Sequence, residues 1–221
     1  MSGMQEMRLA FPSPRRLFTP GVTGILILCA IGYLLCVFAP ASIGVLGISA
    51  EALTRGRIWQ FVTYPFLHSC PWNLIFNGLM ILFIGSAIER EWRTASFLVL
   101  WLVVSITCGL LWVAASLITG NQFIGGGAGA CCYGFLATMG LLFYGTRFFF
   151  FFTTLEAQYL ALILIVIGII LNLNPPINLV WILGAPVAYI YVKTRWSRGR
   201  RSSSPSRPRA QRDRGSFVDI D

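Results

Sequence analysis

Six apolar runs, separated by short polar intervals, constrain this chain more than any other feature. They cover about Gly21 to Ala39, Pro71 to Glu89, Thr94 to Ile118, Gly125 to Tyr144, Thr153 to Leu171 and Ile177 to Lys193. Each approaches the roughly 20 residues a helix needs to cross a bilayer. A soluble core cannot absorb that much greasy surface: 56% of the 221 residues are hydrophobic and only 11% are charged. Lipid must therefore solvate much of the exterior, which requires backbone polar groups to be satisfied within helices. The predicted fold is all-α, a polytopic bundle of six transmembrane helices. Arg8, Arg15 and Arg16 before the first run, with Ala39-Pro40-Ala41 after it, resemble a signal peptide. The run exceeds the usual signal core and further spans follow, so it reads as an uncleaved first helix.

The basic residues sit at alternate connections. Of the seventeen Lys and Arg, all but Arg55 and Arg57 lie in the two tails or between helices 2–3 and 4–5. By the positive-inside rule both termini are expected in the cytoplasm, in a bacterial plasma membrane. Three segments follow: a cytoplasmic stretch 1–20, a membrane domain 21–193, and an Arg/Ser/Pro-rich tail 194–221 expected to be disordered. The tail reads as a topology signal with weak attraction to anionic lipid, with no specific nucleic-acid partner. The oligomeric state is left open. The six cysteines lie mostly in apolar runs and form no CxxC pair, so neither a zinc site nor a disulfide framework is expected. No cofactor is indicated.

Residues 40–69 read as a long non-helical loop held at the interface by aromatics. Gly125 to Ala130, a dense run of small residues, should open the fourth helix and let it pack backbone-close. No Lys-Ser/Thr follows it, so it is no phosphate loop. Thr153-x-x-Glu156 reads as a capping box that starts the fifth helix.

The stretch Arg57 to Arg93 carries the chain's one histidine, His68, and two amides, Asn73 and Asn77, on one helical face at i, i+4 spacing. Amides at the mouth of a membrane helix are costly unless they meet partners or water, so they mark a candidate site. The pattern Trp59, Phe61, Phe66, Leu67, His68, Asn77, Gly85 and Glu89 resembles the first loop and second helix of the rhomboid family of intramembrane serine proteases. The likeness extends over most of Arg57 to Lys193. It implies a nucleophilic serine at the start of the fourth helix, a histidine base on the sixth, and oxyanion-stabilising side chains on the second.

The chain departs from that pattern where the chemistry resides. Aligned on Tyr133-Gly134, the serine position is Gly129; counted back from Tyr189, Tyr191 and Lys193, the histidine position is Trp181. Asn73 replaces a second-helix histidine, Asn77 is retained, and Gln60 replaces an arginine. Trp59, His68 and Glu89 stand at structural positions of the loop and second helix. Glycine has no side chain to attack with, and indole is a donor that cannot accept a proton. A shifted register would make Cys131 a thiol nucleophile, still without a base. The expectation is a proteolytically inactive relative that binds transmembrane segments of client proteins, as derlins and inactive rhomboids do. The alternative is a peptidase using Cys131.

Overall fold

The computed structural model describes residues 17–120, 122–150, 153–171 and 176–202. Helix α1 (Pro20–Phe38) starts on a proline, whose missing N–H costs nothing in a first turn. Three short helices follow in the first loop, α2 (Ser42–Leu46), α3 (Glu51–Thr54) and α4 (Gln60–Thr63), then a 3-10 turn over Tyr64–Phe66. The second span, Pro71–Trp92, comprises α5 (Pro71–Met80), a π-turn (Ile81–Gly85) and α6 (Ser86–Trp92). After a sharp reversal at Arg93, where φ is 70°, α7 (Thr94–Thr119) runs 26 residues and stops at left-handed Gly120. Next come α8 (Gly129–Leu142), a hairpin of β1 (Arg147–Phe150) and β2 (Thr153–Glu156), and α9 (Ala157–Leu171). A 3-10 stretch, Pro176–Leu183, leads into α10 (Gly184–Ser202).

Four of these helices are long and apolar enough to span a membrane, and α8 and α9 are shorter apolar helices. Large apolar side chains such as Ile27, Val99, Leu117, Leu162 and Ile170 point outward, as expected where lipid is the solvent. At 14 residues α8 rises about 21 Å, short of a hydrocarbon core of about 30 Å. A helix of that length cannot reach both faces of the hydrocarbon core, and its first residue is Gly129.

Small residues let α8 sit at the centre. Ala130 and Gly134 face Gly184 and Ala188 of α10 so closely that a Cβ on Gly184 would lie 2.0 Å from the Ala130 carbonyl oxygen. At the opposite end Glu89 ties three helices together. Its carboxylate accepts from the Gly21 N–H (2.8 Å), the Val22 N–H (2.9 Å), the Thr19 hydroxyl and the Thr94 hydroxyl (2.6 Å). An anion at the N-termini of α1 and α7 satisfies donors that helices leave orphaned and favours their positive dipole ends.

Several expectations need correction. The first loop is partly helical, because a segment lying at an apolar interface must satisfy its own backbone polar groups. Residues 125–127 are not helical: Gly125 bridges to Ile48 and Gly127 has φ 105°, so α8 starts later than predicted. Thr153-x-x-Glu156 is a strand and no capping box; Arg147↔Glu156 through Phe150↔Thr153 pair antiparallel, in keeping with the strand preference of Phe and Thr. The all-α bundle therefore carries one two-stranded hairpin. Finally, α10 continues to Ser202, nine residues past the expected boundary, since Lys and Arg favour a helix and suit its C-terminal end. Residues 1–16 and 203–221, and the exit at Asn172, Asn174 and Pro175, lie outside the described residues.

Candidate functional site

The first loop is fastened by side chain to backbone bonds. Trp59 Nε1 donates to Val45 O (2.9 Å), Arg57 to Gly44 O (3.0 Å), and Thr63 to Leu46 O (2.7 Å). Gln60, fully buried, donates to the Val45 carbonyl (3.2 Å) and accepts from Ser49 (3.3 Å), so it does for the loop what a longer cation would do, without charge. The loop is then pinned to the segment before α8 by the paired Ile48–Gly125 backbone bonds (2.9 and 2.7 Å) and by Gly127 N–H to Tyr64 O (2.9 Å).

Behind this roof lies a cavity of about 470 Å³, walled by α5, α7, α8, α9 and the 3-10 segment. Asn73 and Asn77 line it from α5, Gly129, Cys132 and Tyr133 from α8, and Trp181 from the 3-10 segment. Phe76 and Met80 of α5 face Leu164 and Gly168 of α9 across it, and these two helices meet mainly through α8. Among the described residues its lining carries no charged side chain.

Gly129 and Trp181 meet at the cavity floor. A Cβ on Gly129 would touch Trp181 Cβ at 3.9 Å and Cγ at 4.0 Å, ordinary van der Waals distances. The Trp181 ring, 7% exposed, stacks on Trp112 (4.4 Å between centroids, 8° apart) and on Tyr64 (5.3 Å, 17°). Such a stack holds the indole flat and fills the floor.

The polar wall is a chain of donated hydrogen bonds. His68, 2% exposed, approaches Phe66 O through Nδ1 (3.1 Å), so Nδ1 carries the proton and Nε2 accepts from Asn77 Nδ2 (3.4 Å). The second hydrogen of Asn77 Nδ2 goes to Asn73 Oδ1 (2.5 Å). Burial holds the His68 pKa below its ordinary value of 6.5, partly offset by the Phe66 carbonyl. At neutral pH the ring is uncharged.

Cys131 does not reach the cavity. Its Sγ turns toward α7, 3.2 Å from Ser105 Oγ and 3.8 Å from Trp101 O, and it is fully buried there. On a helix, adjacent residues point about 100° apart, so the neighbouring Cys132 takes the cavity-facing position, its thiol 3.9 Å from Asn77 O. Of the two thiols, Cys132 is among the residues that line the cavity and Cys131, the alternative nucleophile expected from the sequence, is not. Sequence reasoning also missed Asn178, which lines the cavity three residues before Trp181, where a 3-10 helix stacks i on i+3. An amide within an apolar span was the available signal. Trp112, which supports Trp181 from α7, left no such mark in the sequence.

A polytopic helical membrane protein whose short central helix opens into a loop-roofed cavity is the class of protein defined here. The Rhomboid domain family matches residues 55–197, well over half of the chain, and the protein belongs to the rhomboid family. A comparison with curated proteins finds no match.

Proposed function

We propose that this rhomboid does not hydrolyse peptide bonds and uses its cavity to bind transmembrane segments of client proteins. The supporting observation is the Gly129–Trp181 pair. The position suited to a nucleophile has no side chain, and the position suited to a base holds a stacked indole that cannot accept a proton. The chain's single histidine is engaged through both ring nitrogens in the roof loop. Cys132 reaches the cavity, yet it faces a backbone carbonyl and, among the described residues, no base, so it does not restore catalysis. What persists is an uncharged groove between α5 and α9, rimmed with amides, into which an apolar helix can enter from the bilayer. Residues 21–193 form the membrane domain in this reading, with both termini cytoplasmic in a bacterial plasma membrane.

The test is reconstitution of the full chain in liposomes with a generic rhomboid substrate bearing a photocrosslinker. Crosslinks to Phe76 or Leu164 without cleavage are expected. Cleavage by the parent chain would overturn the proposal, and its loss or persistence in Cys132→Ala would say whether that thiol carries it.

A further inference from the structure

The hydrogen-bond chain on the cavity wall has a direction, and one residue sets it. The Phe66 carbonyl can only accept, so His68 Nδ1 must donate to it, and the neutral ring then offers Nε2 as an acceptor. Asn77 is obliged to present its NH₂ group there, and the same nitrogen donates its other hydrogen to Asn73 Oδ1. With Oδ1 committed, Asn73 Nδ2 has no partner among the described residues, and Asn73 is an exposed residue that lines the cavity. We propose that His68 is a positioning residue: acting through Asn77, it turns the Asn73 amide so that the cavity offers a donor to a peptide carbonyl, and a proton on the imidazole reverses that pattern. The proposal rests on the client-binding reading above and names the group the client must supply.

The reversal follows from donor arithmetic. A protonated imidazole donates from both nitrogens. Asn77 must then rotate its amide to place Oδ1 toward His68. That oxygen, with two lone pairs, accepts from Nε2–H and from the Asn73 NH₂ group, which rotates in turn. Asn73 now shows Oδ1 to the cavity, and a bound carbonyl faces an oxygen where it had a donor. No bond is made or broken apart from the proton gained. The surroundings leave this to His68 alone. Among the described residues, the titratable groups nearest the relay are two thiols, Cys36 on α1, which meets the His68 backbone, and Cys132 on α8, 3.9 Å from Asn77 O, with the Tyr133 phenol lining the same cavity. Among the described residues no carboxylate or cation perturbs the imidazole.

Because the chain has one histidine, ¹⁵N-histidine labelling of the full-length protein in nanodiscs reports on His68 alone. The expected spectrum at pH 7.5 shows a protonated Nδ1 and an unprotonated Nε2; the opposite tautomer would overturn the proposal. In parallel, a synthetic apolar 22-residue peptide with a central diazirine is crosslinked to the protein across the range in which the ring titrates. Crosslinking should fall roughly tenfold or more on protonation, the usual consequence when a carbonyl that the bound peptide covers loses its donor. His68→Gln keeps a neutral acceptor toward Asn77 and should crosslink at every pH, while Asn73→Leu should crosslink weakly and without pH dependence. Wild-type crosslinking that is unchanged as the ring titrates refutes the relay. Failure of all proteins to crosslink at any pH refutes client binding instead, and the tautomer still decides the relay.

Discussion

The pair Gly129 and Trp181 permits a graded test. Gly129→Ser adds a Cβ whose nearest described neighbours are Trp181 Cβ at 3.9 Å and Cγ at 4.0 Å, and Gly129 is not among the positive-φ glycines. No atom has to move, and a side chain in the first helical turn costs less backbone entropy than glycine, so the change should be within about 1 kcal/mol of neutral. Trp181→His is different. The indole is nearly buried and stacks on two rings, interactions of about 0.5–1.5 kcal/mol each beyond area burial. The smaller imidazole also leaves a void, for which large-to-small changes suggest a total of about 2–4 kcal/mol. Reversible denaturation in detergent micelles measures both. Cleavage of a rhomboid substrate should be absent in the parent and in each single variant, because nucleophile and base act as a unit. The double variant, with the two groups in contact distance, is the one form in which a trace of activity is expected. A Gly129→Ser loss above about 2 kcal/mol would show that the residue does not face open space beside Trp181, and the reasoning would fail. So would cleavage by the parent.

Glu89→Ala should cost about 3–5 kcal/mol, since four donors from two helices lose a charged acceptor, and Glu89→Gln less because it keeps one oxygen; chemical denaturation ranks them. Stability should depend on pH through His68: its folded pKa lies below the ordinary 6.5, so the folded state binds fewer protons, and stability complete above about 6.5 should decline as pH falls through the folded value. Melting curves from pH 8 to 5 would show this slope in the parent and lose it in His68→Gln. Truncation after Ser202 should leave the melting temperature unchanged. Truncation after Thr194 removes Arg195, which bonds Ser96 at 2.8 Å and covers the Trp92 ring at 5.0 Å, and should cost about 1 kcal/mol. Reporter fusions should place positions 60 and 122 opposite position 205; a common side refutes the topology.

The six helices, their order and the class of fold were legible in the sequence because hydropathy and charge are local properties that a bilayer reads segment by segment. The amides Asn73 and Asn77 stood out for the same reason, since a polar group in an apolar run is costly wherever it sits, whereas Trp59, His68 and Glu89 were marked by their likeness to the rhomboid first loop and second helix. The lengths of α8 and α9, the hairpin over Thr153–Glu156 and the helical end of α10 were decided by pairing and packing that no window of sequence contains. The site was settled at the same level. Adjacent cysteines 131 and 132 have equal claims by composition, and only the face of α8 packed against α7 sends one into the core and the other into the cavity. Asn178 and Trp112 reach the floor from separate spans, and Asn73 acquires a direction only through His68 and Asn77. Identity and spacing determine which side chains a membrane helix must hide. Which partner each one meets, and with which atom, depends on contacts between segments distant in the chain, and those exist only once the bundle has closed.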